Sequence, residues 1–119
     1  MNLLPKYEQA VIPIQKFTHY ALDPEGDMHK ALVFKSALGY DKENAMDLIE
    51  NIRAHLPYTE AELQSDLGFG KRYKLTMTLT GPNGKSAEVV TAWIDDKATG
   101  QMRLSTVYIL KKKGRLPHD

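Results

Sequence analysis

The adjacent pair His29-Lys30 has the residue types best suited to acid–base chemistry on an anion. Asp27 is suited to cap a helix over about residues 28–38, which places the pair in the first helical turn. Free backbone N–H groups and the positive end of the helix dipole favour an anion such as phosphate there. His29 would act as general base or acid, and Lys30 would stabilise a pentacoordinate phosphorane. A solvated His-Lys pair beside a helix cap is the alternative interpretation.

The later half of the chain holds a second group of side chains that could contact a phosphate. This group comprises Arg72, Thr91, Arg103, Thr106 and Tyr108. Thr106 and Tyr108 share one face of the predicted last strand, whereas Arg103 lies on the opposite face unless a bulge intervenes. Strand propensity also explains the threonines, and core packing explains Tyr108, so both interpretations stay open.

Other kinds of catalytic site are not indicated. The chain has no cysteine, which excludes a disulfide, a zinc–thiolate site and a thiol nucleophile. Its four histidines show no metal-ligand spacing, and Gly68-Phe69-Gly70-Lys71 lacks the spacing of a phosphate-binding loop. We therefore expect no metal ion and no small-molecule cofactor.

The charges are distributed unevenly along the chain. Residues 1–70 contain six Lys or Arg and eleven Asp or Glu, whereas residues 71–119 contain ten and four, so the two parts carry −5 and +6. The last residues form a basic tail that includes Lys111, Lys112 and Lys113. A basic half predicts an anionic partner, most commonly nucleic acid, and the tail would add salt-sensitive affinity. An internal dipole or a tail kept for solubility is the alternative.

Helices precede strands in the expected order of elements. At 119 residues the chain should form one domain, and no apolar run approaches the roughly 18 residues of a membrane span. We expect a short helix over 13–22, a helix over 28–38 closed by Gly39, and a third helix capped by Asp41. The first should place Phe17, Tyr20 and Ala21 on one face. The third carries the clearest apolar stripe, which is formed by Ala45, Leu48, Ile49, Ile52 and Leu56 and stops before Pro57.

After residue 57 the apolar period changes from that of a helix to that of a strand. Residues 58–70 lack a rhythm and predict a loop, whereas alternation from Tyr73 predicts a strand. Asn83-Gly84 predicts a hairpin, followed by strands over about 85–95 and 101–110. The predicted fold class is α+β, with N-terminal helices packed on a C-terminal antiparallel meander of three strands. Its parts are an N-terminal segment 1–12, a helical part 13–57, a sheet 71–110 and the basic tail 111–119.

Several segments, in order and spacing, carry a family resemblance over roughly residues 3–110. In the first half they are Leu3-Leu4-Pro5-Lys6-Tyr7, Ala10-Val11-Ile12-Pro13, Tyr20-Ala21-Leu22-Asp23-Pro24, His29-Lys30-Ala31 and Ser36-Ala37-Leu38-Gly39-Tyr40. In the second half they are Gly70-Lys71-Arg72-Tyr73, Leu79-Thr80-Gly81-Pro82-Asn83-Gly84, Thr91-Ala92-Trp93-Ile94 and Arg103-Leu104-Ser105-Thr106-Val107-Tyr108. Together they resemble the C-terminal toxin domains of bacterial polymorphic toxins of the contact-dependent inhibition, Rhs and LXG types. The layout also resembles the barnase/EndoU/colicin/RelE group of metal-independent ribonucleases, many of which act on tRNA.

The resemblance implies an endoribonuclease toxin that leaves a 2′,3′-cyclic phosphate. His29, Lys30, Thr106 and Tyr108 would then be catalytic, with Thr106 and Tyr108 orienting the phosphate. Substrate binding would fall to Arg72, Thr91, Arg103, Lys111, Lys112 and Lys113. The pair stands here in Asp27-Met28-His29-Lys30, which departs from similar sequences, in which a glycine or a basic residue often precedes the histidine.

The resemblance further implies a bacterial protein delivered as the tail of a larger exported toxin and active in the target-cell cytoplasm. Its partners would be RNA, with tRNA the expected kind, and a cognate immunity protein, with no membrane partner. A non-catalytic binding module is the alternative, either an immunity protein or a nucleic-acid-binding accessory factor. A toxin acting on DNA or on another target is a third possibility.

Overall fold

A computed structural model describes residues 1–66, 68 and 70–110, and in them helices cover one face of a four-stranded antiparallel sheet. The two α-helices are α1 (Met28–Leu38) and α2 (Ala45–His55). The strands are β1 (Glu62–Asp66), β2 (Gly70–Thr80), β3 (Ser86–Asp96) and β4 (Met102–Ile109), and their order in the sheet is that of the chain. The α+β class is therefore confirmed.

Both ends of α1 follow the capping rules that predicted them. The Asp27 carboxylate accepts a hydrogen bond from the Lys30 N–H at 3.0 Å, and Gly39 ends the helix in the left-handed region at φ 87°. Asp41 caps a short 3-10 turn, Lys42–Asn44, and α2 follows this turn directly. The predicted apolar stripe of the third helix is buried along its whole length.

The first predicted helix is shorter and different in type. Its regular part is a π-helical turn, Phe17–Ala21. Phe17 and Ala21 are buried as expected, but Tyr20 is 61% exposed. The wider spacing of a π-turn shifts Tyr20 off the face that an α-helix would give it.

The strands β2 and β3 form the predicted hairpin in unbroken register from Gly70↔Asp96 to Thr80↔Ser86. Tyr73, Leu75, Met77 and Leu79 face the helices as the alternation predicted. The hairpin turn contacts the end of α1, where a Cβ on Gly81 would lie 2.0 Å from the Leu38 carbonyl oxygen. Only glycine fits this contact, so the turn and the helix are fixed against each other.

The prediction of a loop over residues 58–70 was wrong. Within that stretch β1 pairs with β2, from Glu62↔Lys74 to Asp66↔Lys71, and the sheet has four strands rather than three. β1 is an edge strand whose residues are mostly exposed, so its sequence lacks the apolar alternation that marks a half-buried strand.

The core lies between the helices and the inner face of the sheet, and Trp93 is its largest fully buried side chain. No helix in the described ranges is long and apolar enough to span a membrane.

Candidate functional site

A β-bulge in β4 places Arg103 on the same face of the sheet as Thr106 and Tyr108. Thr106 pairs with Ala92 and Arg103 pairs with Ile94, and these β3 partners are two residues apart. The register shifts between Ala92 and Trp93, so β4 has one more residue than its partner there. Regular alternation would place Arg103 and Thr106 on opposite faces of the sheet. Because of the bulge, both lie on the outer face.

The outer face of the sheet contains a depression of about 220 Å³, which we call the sheet-side depression. Its polar lining side chains belong to three strands and include Gln64, Arg72, Lys74, Ser105, Thr106 and Tyr108. Arg72 and Lys74 lie on this face because they pair with Ile94 and Ala92 of β3. The depression thus combines two cations with hydroxyl and amide groups.

A second depression, of about 300 Å³, lies between β4 and the start of α1, and we call it the helix-side depression. Its lining includes Lys16, Tyr20, Asp27, Lys30, Ser105 and Thr106. Ser105 and Thr106 line both depressions. The bulged part of β4 therefore forms a ridge between the sheet-side and helix-side depressions, both of which are lined by cations.

The structure separates the predicted pair His29-Lys30. Successive residues of an α-helix point about 100° apart, and the buried face of α1 is formed by Ala31, Phe34 and Leu38. Lys30 lies beside that face and lines the helix-side depression, whereas His29 is exposed on the side away from it. Asp27, predicted only as a cap, also lines the depression, and its carboxylate already accepts one of the helix N–H groups.

Thr91 is not available to a substrate, which corrects its assignment to substrate binding. It is fully buried, its hydroxyl donates to the Leu75 carbonyl oxygen at 3.1 Å, and it accepts from the Trp93 Nε1–H at 2.8 Å. Thr91 shares one face of β3 with Val89 and Trp93, because the three are alternate residues of the strand, and this alternation was the sequence signal for its inner position. Thr91 therefore stabilises the core, and Trp93 is a core anchor.

Sequence reasoning missed Lys16, Tyr20, Gln64, Lys74 and Ser105. A signal existed for Lys74, since it alternates with Tyr73 and Leu75 and must share the face of Arg72. No local signal marked Ser105, and Gln64 lies on the strand that was not predicted. The predicted tail cations Lys111, Lys112 and Lys113 lie outside the described residues.

The arrangement can hold an anion that extends across the ridge of β4, with Lys30 on one side and Arg72 on the other. In residues 1–66, 68 and 70–110, no group of three or more His, Asp or Glu side chains is placed to hold a metal ion.

Comparison with known proteins identifies the family. The family model described as "Domain of unknown function (DUF6883)" matches residues 3–111. The chain belongs to this family. The match spans the helices, the sheet and both depressions, so the DUF6883 domain includes every described candidate site residue.

The DUF6883 fold is shared with a chain of known structure. That chain belongs to a contact-dependent growth inhibition toxin–immunity protein complex from Klebsiella pneumoniae 342. The TM-score is 0.63 at 19% sequence identity, and the alignment covers 84% of this chain and 99% of that chain. No curated protein matches at the level of sequence.

Proposed function

We propose that this DUF6883 chain is an effector domain of the contact-dependent growth inhibition type and acts as a metal-independent endoribonuclease on tRNA. Two findings support the first part, the fold shared with a chain of a toxin–immunity complex and the toxin-like order of segments in the sequence. The proposal includes delivery as the tail of a larger exported bacterial protein and action in the target-cell cytoplasm. It also includes an immunity protein that covers the basic surface.

The observation that carries the nuclease part of the proposal is that the helix-side and sheet-side depressions, each lined by cations, meet at Thr106. A phosphodiester seated on the ridge of β4 would have Lys30 on one side and Arg72 on the other, with Arg103 in the same cross-strand row as Arg72. The Thr106 and Tyr108 hydroxyls would orient its non-bridging oxygens. Cations placed around one phosphate stabilise the additional negative charge of a phosphorane, which is the main requirement for cleavage without a metal.

The proposed reaction is an intramolecular transfer within the RNA. The 2′-oxygen attacks the adjacent phosphorus and loses its proton, the bond from phosphorus to the 5′-oxygen breaks, and that oxygen takes up a proton from water. The products are a 2′,3′-cyclic phosphate and a 5′-hydroxyl end. Lys30 would stabilise the phosphorane. Asp27, in the helix-side depression, and His29, on the same turn of α1, are the two candidates for accepting the proton.

Purified protein incubated with a bacterial tRNA pool in excess EDTA tests this reaction. We expect discrete fragments ending in 2′,3′-cyclic phosphate, and no cleavage of RNA whose 2′-oxygens are methylated. Cleavage of the methylated RNA, or fragments ending in a 3′-hydroxyl, would exclude attack by the 2′-oxygen. Cleavage that requires an added divalent ion would exclude the metal-independent reaction.

A non-catalytic binding module is the second candidate, and one observation favours it. None of the three histidines in the described part of the chain, His19, His29 and His55, lines either depression. A basic surface that binds without cleaving needs no proton-transfer group. The same assay separates the candidates, since a binding module would retain the tRNA on a filter and leave it intact.

A further inference from the structure

The N-terminal segment, residues 1–12, reaches β4 beside the bulge. The Val11 N–H donates to the Met102 carbonyl oxygen at 2.7 Å, and the Leu104 N–H donates to the Val11 carbonyl oxygen at 2.9 Å. These two bonds form a parallel bridge centred on Arg103. Val11 therefore pairs with the outer edge of β4 at Arg103, whose side chain lies on the same outer face as the sheet-side depression without lining it.

The bridge holds the outer edge of a short part of β4. Residues 102–104 lie between the β3–β4 turn and the bulge, and they pair with β3 on one side and with Val11 on the other. Burial of Met102 and Leu104 selects which face Arg103 occupies. A three-residue stretch at a sheet edge frays readily, because few hydrogen bonds hold it.

Three further contacts tie the N-terminal segment to the rest of the fold. The Lys6 ammonium pairs with the Asp95 carboxylate at 2.9 Å and donates to the Gly100 carbonyl oxygen at 3.0 Å. Lys6 adopts a left-handed backbone at φ 60°, which a non-glycine residue keeps only where its surroundings impose it. Arg53 of α2 donates to the Ala10 carbonyl oxygen at 3.1 Å.

We propose that Val11 is a positioning residue for Arg103. Burial of Met102 and Leu104 selects the outer face for Arg103, and the backbone bridge holds the outer edge of residues 102–104, which fixes the position of the Arg103 backbone on that face. The contribution of Arg103 to RNA binding rests on the proposed function. The effect of Val11 on the pairing of β4 does not.

Val11→Pro removes the bridging N–H and leaves the Val11 carbonyl oxygen, which accepts from the Leu104 N–H, in place. Ala10, at φ −62° and ψ 136°, already has the extended conformation that a residue before proline requires. Val11→Thr is the matched control, because it keeps both the N–H and the branched shape. Nuclear Overhauser contacts between Arg103 and Ile94 report the pairing. Affinity for a 2′-O-methylated RNA oligonucleotide, measured as a function of salt, reports the phosphate contact without cleavage.

We expect Val11→Pro to lose the contacts between Arg103 and Ile94 and to reduce the slope of log affinity against log salt by about one, the value for one phosphate contact. Arg103→Gln alone should lower this slope by the same amount as Val11→Pro. The double variant should then have the same slope as either single variant. Retained contacts, or a further fall in the slope of the double variant, would overturn the proposal. If wild-type protein binds no RNA, the proposed function fails and the contacts still decide the role of Val11.

If Val11→Pro does not fold, Lys6→Met provides the second test. This substitution removes the ion pair with Asp95 and the hydrogen bond to the Gly100 carbonyl oxygen. We expect faster hydrogen exchange at the Leu104 amide and weaker nuclear Overhauser contacts between Arg103 and Ile94. Unchanged exchange and unchanged contacts would show that the N-terminal segment does not position Arg103.

Discussion

Arg103 and Thr106 point to the same side of the sheet although they are three positions apart in β4. The bulge inserts Ser105 into β4, so their β3 partners, Ile94 and Ala92, are only two positions apart and share a face. The bulge also makes Ser105 and Thr106 the shared border of the two depressions. A local irregularity of β4 thus joins cations from the helices and from the sheet around one ridge, and the proposed phosphate site depends on it.

Replacing Lys30 with alanine should lower RNA cleavage by about a hundredfold or more at unchanged thermal stability. This is the usual loss when one preorganised group that stabilises developing negative charge is removed. Lys85→Ala is the matched control, since Lys85 is an exposed lysine beside the β2–β3 turn, at the opposite end of β2 from Arg72. Equal rates for both variants would place the reaction outside the helix-side depression.

The proton acceptor can be identified with two conservative variants, Asp27→Asn and His29→Gln. Asparagine caps a helix as well as aspartate does, so Asp27→Asn removes a carboxylate and leaves α1 capped. We expect the larger loss of rate for Asp27→Asn, because Asp27 lines the depression and His29 faces away. The opposite ranking, with loss of one limb of the pH–rate profile in His29→Gln, would restore the assignment made from the sequence.

Thr91→Val should destabilise the fold by about 1–3 kcal/mol, because it leaves the buried Trp93 Nε1–H without an acceptor. Thr91→Ser keeps the hydroxyl and loses one methyl group, at a cost of about 1 kcal/mol. Urea unfolding of both variants measures the difference. A Thr91→Val protein as stable as the wild type would show that the hydrogen bond from Trp93 contributes nothing net.

Asp41 predicts a pH-dependent contribution to stability. The pKa of this carboxyl is lowered below its ordinary 3.8, chiefly by the hydrogen bond from the Lys35 ammonium and next by the hydrogen bond from the backbone N–H of Glu43. The contribution is therefore fully present above pH 3.8 and is lost as the pH falls through the lower folded-state pKa. Asp41→Asn keeps the capping oxygen and removes the charge. The stability difference from wild type should shrink from pH 6 to pH 2, and a constant difference would contradict this account.

Much of the fold follows from local rules that the sequence displays directly. Asp27 and Gly39 mark the ends of α1, and Asn83-Gly84 marks the hairpin, because capping and turn chemistry act within a few residues. The strand β1 was missed because an exposed edge strand carries little apolar pattern. A bulge was named as the condition for a shared face but could not be located at Ser105, because pairing between strands, rather than the residue type, decides where an extra residue fits.

The site was only partly predictable for related reasons. Lys30, Arg72, Thr106 and Tyr108 line the two depressions beside the ridge of β4, and Arg103 shares the outer face, but no local pattern shows that α1 starts beside β4. His29 and Lys30 are neighbours in sequence and diverge on the helix, which its 3.6-residue period could have revealed. Thr91 was assigned by its type, although its alternation with Val89 and Trp93 already indicated the core.

Growth after tightly controlled expression in a bacterium, with the ends of total RNA mapped, tests the central claim most directly. Wild-type protein should arrest growth and produce new 2′,3′-cyclic phosphate ends at discrete positions, concentrated in tRNA. Lys30→Ala at matched protein levels should do neither. Arrest with intact RNA would contradict the nuclease, and normal growth with intact RNA would contradict the toxin as well.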